Sequence, residues 1–189
     1  MSNCENVKQI LIDLINGNIQ YMNNPIYQEE RSETKLSQHP CIVVVSCSDS
    51  RVSIPLIFNY PQIGVFFEVK TAGQVLTSSD LESIKYAVDH LNPIAILMLE
   101  HTNCGAVIAT IDSINDHKIR TEYPTITTSI INSVEKVMNN GLAREELIYH
   151  SIVQNIIDKS DQLTFLFGNK IIIVPALYNV SSGKVSFLK

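Results

Sequence analysis

The chain has 189 residues, 45% of them hydrophobic and 17% charged, and a net charge of -5. That length and mix suit one globular domain with a core of its own, and they exclude a disordered chain. An acidic balance without a basic run argues against nucleic acid and anionic membrane surfaces as partners. The longest apolar runs, Ile94 to Leu99 and Ile171 to Val174, are far too short to cross a bilayer.

The leading stretch MSNCENVKQILIDLINGN mixes charged and amide residues into its apolar ones and lacks a secretory cleavage pattern, so a cytoplasmic location is expected. Val7, Ile10, Leu11, Leu14 and Ile15 recur at helical spacing, which predicts an amphipathic helix packed on its own domain. Residues 24 to 40 are polar and read as a surface connection. Cys41 to Ser46 is a β-branched run of the kind buried on both faces of a sheet. Val52 to Tyr60 reads as a short helix with Pro55 in its first turn, and Val65 to Val69 as a second strand.

Ser78, Ser79 and Glu82 supply start signals for a helix over Asp80 to Leu91, and Asn92-Pro93 stops it. Ile94 to Leu99 is a third strand, and Gly105 to Asp112 resumes helical spacing. Helices over Thr127 to Met138 and Ala143 to Ser160 follow, divided by Asn139-Asn140-Gly141. Ile171 to Val174 is a strand, and a Ser181-Ser182-Gly183 turn precedes Lys184 to Leu188. Strands alternating with helices predict an α/β fold, a single domain with a mostly parallel central sheet flanked by helices on both faces.

Of the four cysteines, Cys4 lies in a polar leader, and Cys41 opens an apolar run and reads as core filler. Cys47 stands in SCSDSR, directly after the first strand, and Cys104 in HTNCG, directly after the third. In an open parallel sheet, functional groups gather at the C-terminal ends of the strands. If the first and third strands are neighbours, Cys47, His101 and Cys104 converge. Two thiolates and an imidazole suit a borderline-soft cation, zinc above all, and three protein ligands leave a fourth position open. Asp49 and Arg51 stand two apart, close enough for a guanidinium to grip the carboxylate and keep it ionised. Asp49 then either accepts a hydrogen bond from metal-bound hydroxide or itself takes the fourth metal position when Arg51 releases it.

The set Cys-x-Asp-x-Arg followed by His-x-x-Cys (Cys47, Asp49, Arg51, His101, Cys104) resembles the β-class carbonic anhydrases. LINGNIQYM, KTAGQ, SIKYAVDHL and ALYNVSSGKV resemble further segments of that family, so the likeness covers nearly the whole chain. It implies zinc-dependent, reversible hydration of carbon dioxide to bicarbonate by zinc-bound hydroxide, with Asp49 orienting the hydroxide, Arg51 holding Asp49, and Gly105 needed for close backbone approach behind the site. It also implies a homodimer or dimer of dimers, residues 1-36 forming a helical arm laid over the partner and residues 37-189 the catalytic core. His90, His117 and His150 are proton-shuttle candidates by titration alone, each also readable as structural.

The sequence departs from the family at Glu100, where glycine is usual before the ligand histidine, at Thr71 and Gln74, which replace asparagines, and in lacking tryptophan. Two other functions stay open beside the first. One is a zinc hydrolase of carbon disulfide or carbonyl sulfide on the same fold. The other is a non-catalytic zinc- or anion-binding descendant, which Glu100 and the altered KTAGQ segment favour.

Overall fold

Strands β1 (Ile42–Cys47), β2 (Phe66–Thr71), β3 (Ala95–His101), β4 (Ile172–Tyr178) and β5 (Val185–Phe187) form one sheet in the order β2-β1-β3-β4-β5. The computed structural model describes residues 6–116, 121–138 and 141–188, which leaves Cys4, His117 and the Asn139-Asn140 breaker outside the described residues. β2, β1, β3 and β4 run parallel, and β5 returns antiparallel along β4. The chain passes from β1 to β2 on one side and then to β3 on the other. The connections therefore diverge between β1 and β3, where such sheets bind their ligands.

The alternation of side chains along each strand sorts the core into two layers. Val43, Val45, Ile96 and Met98 point to one face and pack with Ile84 and Ala87 of α4 (Ser78–His90) and Val107 of α5 (Gly105–Ser113). The same layer takes Ile130 and Val134 of α6 (Pro124–Met138) and Ile152, Ile156 and Leu163 of α7 (Arg144–Phe167). Val44, Leu97, Leu99 and Ala176 point to the other face, where Ile54 of the short α3 (Ile54–Ile57) joins them.

The helix boundaries follow local chemistry. Pro55 sits in the first turn of α3, where its missing N–H costs nothing. α4 is capped differently from expectation: Thr77, not Ser79, is the N-cap, and it exchanges bonds with Asp80, whose Oδ2 accepts from the Thr77 amide at 2.9 Å. Asn92, at φ 53°, ends the helix region in a left-handed turn. Cys41 corrects the expectation of core filler. It precedes the first paired residue of β1 and is exposed.

Residues 6–38 and 62–64 form a separate unit built from α1 (Val7–Asn23) and α2 (Pro25–Thr34). The expected polar connection over residues 24 to 40 is thus largely a helix. The Asn24 side chain caps it by accepting from the Ile26 amide at 3.0 Å, and Pro25 occupies its first turn. Arg31 of α2 donates to the Tyr21 and Met22 carbonyls at 3.1 and 3.0 Å, satisfying the open end of α1. The expected helix forms as α1, and it buries none of its residues.

Candidate metal centre

β1 and β3 are hydrogen-bonded neighbours, and each ends on a proposed ligand. Cys47 is the last residue of β1 and His101 the last of β3. Cys104 follows a sharp turn through Asn103 (φ 56°) and is the N-cap of α5. The turn is anchored from β4: the Thr102 amide donates to the Tyr178 carbonyl at 2.9 Å, and Thr102 Oγ1 accepts from the Val180 amide at 3.1 Å. All three residues are buried, and their ligand atoms lie within 4.8 Å of one another.

Two observations test whether this cluster fits a cation. His101 Nδ1 lies 3.0 Å from the Thr102 carbonyl, which can only accept, so Nδ1 carries the proton and Nε2 offers a lone pair. That Nε2 is buried and has no hydrogen-bond partner among the described residues. A lone pair left so in a protein interior needs a Lewis acid or a donor.

The thiols make the second case. The hydrogen bond between the two thiols pulls Cys47 well below its ordinary range, and the same bond, then burial and the charges of Glu100 and Cys47, push Cys104 far up. One thiolate forms readily and the second is opposed by the first. A divalent cation removes that opposition, so the donor set fits a metal.

Asp49 stands at the edge of the cluster, with Oδ2 3.8 Å from His101 Nε2. Arg51 grips it in a fork, Nε donating to Oδ1 at 2.9 Å and Nη2 to Oδ2 at 2.7 Å, while the Arg51 amide also donates to Oδ1 at 2.9 Å. Arg51 Nη2 reaches the Asn103 carbonyl at 3.2 Å as well, tying the pair to the turn that carries Cys104. These bonds hold the Asp49 carboxyl well below the usual carboxylate range.

The Glu100 side chain is turned to the face of β3 opposite that of His101. Neighbours on a strand point to opposite faces, so Glu100 follows Ile96 and Met98 toward the helical layer. It is wholly buried there, its Oε2 accepting from Asn155 Nδ2 at 2.9 Å and its Oε1 from the His101 amide at 3.3 Å. Burial first, then the nearby charge of Cys47, raise its pKa to about 7.

The glycine expected to permit close approach is a different one. A Cβ on Gly105 would meet nothing within 4 Å, whereas one on Gly73 would lie 2.6 Å from Ile130 Cδ1 and 2.8 Å from Ala106 Cβ. Gly73, at φ 63°, donates its amide to Cys47 Sγ at 3.3 Å. Its place in KTAGQ was the available signal. Gln74 fastens the same turn by donating to the Val45 carbonyl at 2.8 Å, and Thr71 by donating to the Val75 carbonyl at 2.8 Å. His90 and His150 are exposed, beside Tyr86 and Tyr149, and no hydrogen bond among the described residues joins either to the cluster.

A buried Cys-His-Cys set at the switch point of a parallel sheet, with a clamped carboxylate at its rim, defines an α/β protein with a site fit to hold a metal. The sequence model of the carbonic anhydrase family matches residues 42–185, and the chain belongs to that family. It is 33% identical to carbonic anhydrase 2 of Mycobacterium tuberculosis over 162 residues, 82% of this chain and 78% of the relative. It is 27% identical to the carbonic anhydrase of Helicobacter pylori over 146 residues, 73% of this chain and 62% of that one.

Among solved structures, the fold is similar to the β-carbonic anhydrase CcaA, with a TM-score of 0.80, 20% identity and 95% of each chain covered. It is also similar to the Coccomyxa β-carbonic anhydrase in complex with acetazolamide, with a TM-score of 0.74 and 20% identity over 97% of this chain and 86% of that one.

Proposed function

We propose that this chain is a zinc carbonic anhydrase that hydrates carbon dioxide reversibly to bicarbonate, with Cys47, His101 and Cys104 holding the metal. The observation that carries this reading is the partnerless lone pair of His101 Nε2, set among two sulfurs and 3.8 Å from the Asp49 carboxylate. Zinc bound there supplies the Lewis acidity that brings water close to ionisation at about neutral pH.

The chain's own residues do the rest. Asp49, kept ionised by Arg51, is an acceptor only and orients the attacking oxygen through one hydrogen bond. Arg51 fixes the carboxylate's plane through its two-point grip. With that grip closed, Asp49 is turned to Arg51, and a metal held by Cys47, His101 and Cys104 would stay open to water at its fourth position. Release by Arg51 would let Asp49 take that position and silence the site. Glu100, which suggested a dormant protein, instead bonds Asn155 on the helical side of β3.

The same reading includes an active homodimer or dimer of dimers, with residues 1–36 as the arm and 37–189 as the catalytic core. The exposed apolar residues Val7, Leu11, Leu14 and Ile15 of α1 support a partner for that arm. Solved relatives of this fold include two tetrameric β-carbonic anhydrases of Sordaria macrospora. A cytoplasmic location belongs to the reading too; no helix among the described residues is long and apolar enough to cross a membrane. The test is stopped-flow hydration of carbon dioxide against pH, with metal content determined on the same sample. Hydration at the background rate by protein carrying one zinc per chain would refute the function.

A further inference from the structure

Asn155 lies in the middle of α7, wholly buried, and its side-chain amide faces the back of the metal centre. Nδ2 donates to Glu100 Oε2 at 2.9 Å and reaches the Gly73 carbonyl at 3.4 Å. Both acceptors lead to a ligand. Gly73 is the residue whose amide donates to Cys47 Sγ, and Glu100 accepts from the amide of His101. With Glu100 ionised the amide cannot be turned over, because the flip would set Oδ1 against a carboxylate and a carbonyl, neither of which donates.

We infer that Asn155 is a positioning residue for the metal centre, holding from one rigid helix the Gly73 peptide behind Cys47 and the Glu100 carboxylate beside His101. These two supports lie on different elements, the turn after β2 and the end of β3, and no other described side chain hydrogen-bonds to both. Gly73 has little freedom of its own, pressed as it is between Ile130 and Ala106. With its carbonyl held by Asn155 and its Cα hemmed in, Gly73 has little room to turn the N–H of the preceding peptide away from the Cys47 sulfur. Groups of this kind, which orient ligands without touching the metal, typically alter metal affinity about 10- to 100-fold when removed.

The inference rests on the metal reading above, and the experiment separates the two. Zinc affinity is measured by chelator competition, and the ligand field by the visible spectrum of the cobalt(II) protein, for wild type, Asn155→Leu, and Asn155→Leu combined with Glu100→Met. Thermal stability is followed in parallel. Asn155→Leu is expected to bind zinc about 10- to 100-fold more weakly and to shift the cobalt bands. It also leaves a buried carboxyl without its donor, so stability falls with it. The double variant removes that carboxyl, and stability is expected to recover while affinity and spectrum stay altered.

A merely structural Asn155 would leave the double variant with the affinity and spectrum of Glu100→Met alone, measured beside it, and that result overturns the inference. So does an Asn155→Leu protein with wild-type affinity and spectrum. If wild type itself fails to bind zinc, the metal reading falls first and the inference with it.

Discussion

Among the described residues of the sheet's own unit, the face that carries Val43, Val45, Ile96 and Met98 lies under four helices, whereas the face that carries Val44, Leu97 and Leu99 has the single turn of α3 and its flanking residues against it. The first side also backs the candidate metal site: Cys47 shares its core layer, and Glu100 and Asn155 meet beneath it. On the second side, Ile172 and Phe187 remain 68% and 62% exposed. One face is a finished core that also holds a chemical site rigid. The other is apolar surface of the kind that marks an interaction.

The strongest way to break that contrast is at the ligands themselves. Cys104→Ser replaces a thiolate with a hydroxyl that does not ionise, leaving two strong donors and one weak one. Zinc content by elemental analysis is expected to fall to near zero, and full occupancy would remove the tripod. Next in size is the packing of the covered face. Leu163 is fully buried on α7, and Leu163→Ala is expected to cost about 3 kcal/mol in denaturant unfolding, with the spread set by how far the cavity collapses. A cost below about 1 kcal/mol, the level of a tolerated surface change, would mean that the four-helix layer is not the core it is taken for.

Asp49→Ala tests the rim of the site, where packing contributes little. Zinc is retained, and the hydration rate is expected to fall about 100-fold because the attacking oxygen loses its orienting acceptor. Wild-type turnover in this variant would remove Asp49 from the mechanism. Glu100 then gives a pH signature to the covered face. Its carboxyl is raised from 4.5 to about 7, so in the metal-free protein its neutral form is favoured by folding. Stability from this group is full below about pH 4.5 and is lost as the pH rises through about 7. The loss is ~2 kcal/mol once part of the shift is assigned to the Cys47 charge. The Cys47 thiol, held low, pulls the pH dependence the other way, so the Glu100 part is read as the difference between wild-type and Glu100→Gln apo proteins in urea unfolding at pH 5 and pH 8. Wild type is expected to lose about that amount relative to the variant as the pH rises.

Most of this site could be read along the chain, because its donors are local to two strand ends. SCSDSR and HTNCG each place their residues directly after a run of buried strand residues. The alternation within IVVVSC and AILMLEH sets the faces as well. What could not be read is carried by long-range contacts. Asn155 meets Glu100 and Gly73 from 55 and 82 residues away, and nothing around it distinguishes it from any amide on a helix. Cys41 stands one residue outside the first pair of β1, where an apolar run looks the same on either side of the sheet's edge. α2 was hidden by its polar composition, although Asn24-Pro25 is a start signal. The α1 spacing is that of a packed helix, and spacing alone does not say which surface a helix packs on.

The smallest expected effect comes from the open face. Phe187→Ser removes a ring that is 62% exposed and sits opposite Ala176 on the last strand. Little is taken from a core that does not include it, so at low protein concentration unfolding is expected to stay within about 0.5 kcal/mol of wild type. The same substitution reads differently if this face is where copies of the chain meet. Subunit contact adds stability by mass action, so the wild-type midpoint rises with protein concentration and the variant's does not. Unfolding curves at two concentrations a hundredfold apart separate the cases. Equal shifts in both proteins would place the subunit contact elsewhere, and a large loss at low concentration would mean that the second face is closed within one chain.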